Sequence, residues 1–213
     1  MSILQRLLLI SASFLLPISV LLYFTVDGIQ DRIDFAGLEK HGNSFQRPLE
    51  KILRSLLVHK SAALSVLGGD PTALTTATKE EVSLDSAIRN LEVLEKSFGT
   101  ILQFTQDGLA KRKREEAKID NFSRKWDQCR KFWQTMTPDA CKSEHDNLIM
   151  IVRMMITHLG DTSNLILDPD LDSYYLMDVS VVALPSAQER ISTLITIYNS
   201  LIKKGPNLSL IHI

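Results

Sequence analysis

Between Leu7 and Val26 the chain runs for twenty residues without a charge, LLLISASFLLPISVLLYFTV. At about 1.5 Å of rise per residue, a helix of that length spans roughly 30 Å, the thickness of a bilayer's hydrocarbon core. In such a core every backbone N–H and C=O must be satisfied within the segment, which leaves a helix as the conformation open to it. Pro17 removes one backbone hydrogen bond, a defect that membrane helices tolerate. A cleaved signal peptide would have a shorter apolar core and a small-residue cleavage site. Asp27-Gly28-Ile29-Gln30-Asp31-Arg32 offers no such pattern, so an uncleaved anchor is expected over residues 7–26. Arg6 precedes the run while Asp27, Asp31 and Asp34 follow it. The positive-inside bias then leaves residues 1–6 in the cytoplasm and sends residues 27–204 to the other side.

Beyond the anchor, scarce Gly (9) and Pro (7) argue for long helices rather than a sandwich or a doubly wound sheet, and the expected fold is all-α. With 24 basic and 25 acidic residues the formal charge is -1, so no field gathers nucleic acid. The basic run Lys111-Arg112-Lys113-Arg114 is followed at once by Glu115 and Glu116, which reads as an exposed helix face with pairs three or four residues apart.

Apolar positions recur at helical spacing. Phe45, Leu49, Ile52, Leu53, Leu56, Leu57, Ala63, Leu64 and Leu67 make one stripe, on a helix expected to continue out of the anchor. Gly68-Gly69-Asp70-Pro71 stops it, with a loop to about Thr78. A second stretch carries Leu84, Ile88, Leu91, Leu94, Phe98, Ile101 and Leu102. Asp107-Gly108 is then either a turn or a kink before a third, with Ile119, Phe122, Trp126, Cys129 and Trp133. Thr137-Pro138 is a cap with proline at the first helical position, and Cys141, His145, Leu148, Val152, Met155 and Leu159 follow in alternating four-three steps, the seam of a bundle. After the polar Gly160–Asn164, Asp168-Pro169 repeats the cap-and-proline start, for a last helix with Met177, Val181, Leu184, Ile191, Ile195, Tyr198 and Ile202. The expectation is an antiparallel helical bundle over residues 27–204, followed by an irregular or foreign tail over residues 205–213. No second span and no output module follows, so the chain is expected to be an incomplete piece of a longer protein.

Two stretches carry a family resemblance. Glu39-Lys40-His41-Gly42-Asn43-Ser44-Phe45-Gln46-Arg47-Pro48-Leu49 is similar to an E-x-x-G-x-x-aromatic-x-x-P-L pattern, and the more specific one runs from Asp161 to Asp178, DTSNLILDPDLDSYYLMD. In these, and in layout from about Leu7 to Lys203, the chain resembles the extracytoplasmic region of methyl-accepting chemotaxis proteins and related membrane sensor histidine kinases. The resemblance implies a chemotaxis transducer's ligand-sensing domain in the bacterial inner membrane, periplasmic in bulk and homodimeric. It also implies a small-molecule ligand and signalling by helix displacements of about 1–2 Å. The sensor portion of a histidine kinase, and a membrane-anchored scaffold or dimerisation module without ligand, are the alternatives.

Candidate binding residues are Asn164, Asp168, Tyr174 and Tyr175 in the second motif, with Arg47 and His59 as polar groups expected to line a pocket between helices. Core packing and helix capping compete with that role for each of them. Asp168, Asp170 and Asp172 have the spacing of a calcium loop, but Ser173 stands where the turn requires Gly and Val179 where the last ligand should be Glu. His41, His145 and His158 lack metal-ligand spacing, so no metal or other cofactor is expected. Cys129 and Cys141 flank the Thr137-Pro138 reversal, and a periplasmic disulfide or two free thiols both fit. No nucleophile elbow or phosphate-binding glycine loop is present, and no enzyme is expected.

Overall fold

The computed structural model describes residues 2–166, 175, 179 and 183–203; Asp168, Tyr174 and the second proline-capped start lie outside the described residues. Among the described residues the chain is helical, with no strand. The helices are α1 (Ile3–Leu67), α2 (Leu74–Phe98), α3 (Gln106–Lys111), α4 (Ile119–Phe132), α5 (Pro138–Thr162) and α6 (Leu184–Lys203). Contacts divide the chain into two units, Met1–Lys40 and His41–Ile213, with α1 contributing to both.

In the first unit α1 passes Pro17 without interruption, and one segment is long and apolar enough to cross a membrane. Its side chains are exposed. Two of its hydroxyls are satisfied locally, Ser13 donating to the Ile10 carbonyl and Thr25 to the Leu21 carbonyl.

The second unit holds one core. Phe45, Leu49, Ile52, Leu53, Leu56 and Ala63 of α1 are fully buried, and so are Leu84 and Leu91 of α2. Ile119, Phe122, Trp126, Cys129 and Trp133 join them, as do Cys141, His145, Leu148, Val152, Met155 and Leu159 of α5. Thr137 caps α5 as expected, its side chain accepting from the Ala140 N–H. The two stretches that carry the family resemblance meet here. A Cβ on Gly42 would stand 2.5 Å from Ser163 Cβ and 2.9 Å from Leu165 Cδ1, so only glycine lets α1 approach the end of α5 this closely. Phe45, one turn on, stacks on Phe104 with centroids 4.9 Å apart.

Several expectations need correction. The loop to Thr78 is shorter, because Asp70 caps a single turn at Pro71–Ala73 and α2 begins at Leu74. The second stretch ends at Phe98, leaving Ile101 exposed. Asp107-Gly108 is neither turn nor kink. It lies in the first turn of α3, capped by Thr105, where a side chain on residue 108 would collide with the Gln103 carbonyl. The basic run is not one helix face: Lys113 takes a left-handed backbone (φ 55°) and breaks it. Arg114 then pairs with Asp161 at 2.7 Å, and Glu116 with Lys125 at 3.2 Å. Of the last seam, the described Leu184, Ile191, Ile195 and Tyr198 are all exposed rather than buried. α6 is held instead by polar contacts, with Arg153 donating to Glu189 at 2.6 Å and the Ser192 hydroxyl reaching the Leu57 carbonyl at 3.5 Å.

Candidate functional site

Polar chemistry converges in the core at His59 of α1 and His145 of α5, both with no exposed surface. Their rings stack with centroids 5.0 Å apart, and His59 Nδ1 lies 2.8 Å from His145 Nε2. The tautomers follow from the neighbours. His145 Nδ1 is 2.7 Å from the Cys141 carbonyl, an acceptor only, so it must carry the proton. His145 Nε2 then accepts, and His59 Nδ1 donates to it. Burial pushes both imidazoles down to about 4, so both are neutral at pH 7. The 3.4 Å approach of His59 Nε2 to Glu81 is therefore not an ion pair at that pH. Glu81 instead accepts from the Trp133 indole at 2.9 Å.

Cys129 and Cys141 are buried free thiols rather than the disulfide that their positions allow. Cys141 Sγ lies 3.6 Å from His145 Nδ1, and Cys129 Sγ lies 4.0 Å from both ring nitrogens. Burial raises the thiols to about 12 and 11, which makes them poor nucleophiles. Among the described residues no group of three or more His, Cys, Asp or Glu is arranged to hold a metal ion. The four side chains of this cluster are all buried.

An open site lies elsewhere in the same unit. A cavity of about 540 Å³ is walled by α1, by Ala73 and Thr76 at the start of α2, and by α6. Leu57, Val58, Ala62, Ile191 and Ile195 give it an apolar lining. Its polar groups are Arg54 and Ser61 on α1 and Gln188 and Ser192 on α6. The size falls in the range of small-molecule pockets, and the makeup, apolar with a few convergent polar groups, is theirs as well.

Of the residues singled out from the sequence, the described ones, Arg47, His59, Asn164 and Tyr175, line no described cavity. Arg47 is exposed on α1, on the side away from the buried Phe45, Pro48 and Leu49. His59 is buried against His145 and lines no described cavity. Asn164 takes a left-handed backbone (φ 62°) just past α5, which is how helices commonly end. Tyr175 is 60% exposed. Sequence reasoning missed Arg54, Ser61 and Gln188. The signal for the first two was present, since residues 54, 58 and 61 share a face of α1 offset from the core stripe.

Searches against protein-family models, curated proteins and solved structures find no match to this chain.

Proposed function

We propose that this chain is the ligand-sensing part of a membrane receptor, anchored by its N-terminal helix in the bacterial inner membrane. Its periplasmic portion is an antiparallel helical bundle that works as a homodimer and answers to a small molecule. The observation that carries this reading is that one helix, α1, contains both the uncharged apolar segment and a wall of the 540 Å³ cavity. A ligand in that cavity touches the covalent path to the membrane directly. Displacements of about 1–2 Å are the usual scale on which packed helices switch. The two motifs similar to those of chemotaxis transducers support a chemotaxis output, and they meet at Gly42 and Ser163.

The test is a thermal-shift screen of the full chain in lipid nanodiscs against amino acids, organic acids and aromatic compounds. A ligand that binds only the folded state must raise its midpoint, by about 2.7 kcal/mol of stability at a hundredfold excess over Kd. A midpoint that responds to no compound and rises only with protein concentration would mark the chain as a dimerisation module instead.

A further inference from the structure

We infer that the α1–α6 cavity takes a small organic acid: an apolar body, aliphatic or aromatic, carrying one carboxylate that pairs with Arg54. This rests on the receptor reading and names the ligand class of that same site.

The charge pattern argues for it. Arg54 makes no hydrogen bond or ion pair with any described residue, and no Asp or Glu is among the described residues that line the cavity. Two other cavities in the unit supply their own counter-charges. In one of about 260 Å³, Arg130 is paired with Asp85, and Glu92 and Asp127 lie alongside. In one of about 560 Å³, Arg153 is held by Glu189 at 2.6 Å. A guanidinium that is not already engaged, at the edge of an apolar wall, presents a planar fork of donors that matches a carboxylate bidentately. The opposite wall is exposed Ile191 and Ile195, which offer an apolar body somewhere to bury its surface. Gln188 and Ser61 are neutral, so neither competes for the anion nor adds a second positive charge. One charge is therefore expected on the ligand, not two.

Alternative candidates are weaker. The thiol and imidazole cluster around His145 is buried and uncharged at neutral pH. The exposed outer residues of α6 have nothing against them that identifies a partner.

The experiment titrates 3-phenylpropanoate, its shape-matched amide and 3-phenylpropylamine into the full chain in phosphatidylcholine nanodiscs, read by calorimetry. The carboxylate should bind at least about tenfold more tightly than the amide, with the amine weakest, and added salt should narrow the gap. Arg54→Gln, at an exposed position where folding is not at stake, should bring carboxylate and amide to equal affinity. Ile191→Glu should weaken the carboxylate far more than the amide. Equal binding of acid and amide to the unaltered chain, or an acid preference that survives Arg54→Gln, overturns the assignment while leaving the receptor reading intact. No binding of any of the three at millimolar concentration also overturns it. The receptor reading then falls only if the broader thermal-shift panel is blank as well.

Discussion

Gly42 of α1 and Ser163 at the end of α5 sit so close that a Cβ on the glycine would stand 2.5 Å from the serine's Cβ and 2.6 Å from its Oγ. Neither serine atom is the end of a long flexible chain, so relief requires moving a helix. Gly42→Ala therefore sets an overpacking cost of about 1–3 kcal/mol against a helix-propensity gain of about 1 kcal/mol. The net expectation is destabilisation. Urea unfolding of Gly42→Ala, Ser163→Gly and the pair together checks it, because removing the serine side chain should recover most of the loss. Additive effects in the double variant would mean the two residues do not press on each other.

The buried imidazoles make stability fall as pH falls. Burial holds His59 and His145 near 4, against an ordinary value of 6.5. Below pH 6.5 the unfolded chain takes up protons at both sites, while the folded chain does not until about pH 4. The unfolded state thus binds more protons throughout that window, and stability declines across it. Between pH 6.5 and 5.5 the two sites together should remove about 2 kcal/mol. Urea midpoints measured across that interval read it directly, and a flat profile would show that the rings accept protons without unfolding.

Both thiols should resist alkylation at neutral pH. They are buried, and burial pushes Cys129 and Cys141 to about 12 and 11. Iodoacetamide should label them only as fast as the protein opens, and mass spectrometry of the denatured, non-reduced chain should count two free thiols. Rapid labelling in the folded state, or a bridged pair, contradicts this placement.

Removing the α5 cap should cost about 1 kcal/mol. Thr137 accepts from the Ala140 N–H, and Thr137→Ala leaves that donor to water. Thr137→Ser should retain nearly all of the stability. Equal midpoints for the alanine and serine variants would remove the cap from the account.

What could be read in the sequence follows from what periodicity measures. The seam positions of α5, from Cys141 through Leu159, are all buried, and so are the seam residues of α4 from Ile119 to Cys129. A four-three repeat reports which face is apolar, and in these helices a neighbour covers that face. The same repeat in α6 reports an apolar face that the described neighbours leave open. Periodicity cannot distinguish these cases, because the covering element is not in the repeat. Spacing along one chain segment also said nothing of His59 and His145, which are 86 residues apart and share a hydrogen bond. Gly108 looked like a turn because glycine is common there. Its reason is the Gln103 carbonyl, five residues back, which the tight entry into α3 folds against it. The cavity lies further still from view, since Arg54 and Gln188 become one site only when α6 returns to α1.

The two tryptophans of the chain both stand edge-on to one ring: Trp126 and Trp133 have centroids 5.2 Å and 5.4 Å from that of His59, at 84° and 83°. Tryptophan fluorescence of the unlabelled protein therefore comes entirely from indoles that share a single imidazole neighbour. A proton arriving on that imidazole quenches both emitters at once. The molecule carries its own optical reporter of the state of its core, at a point where α1 and α4 meet.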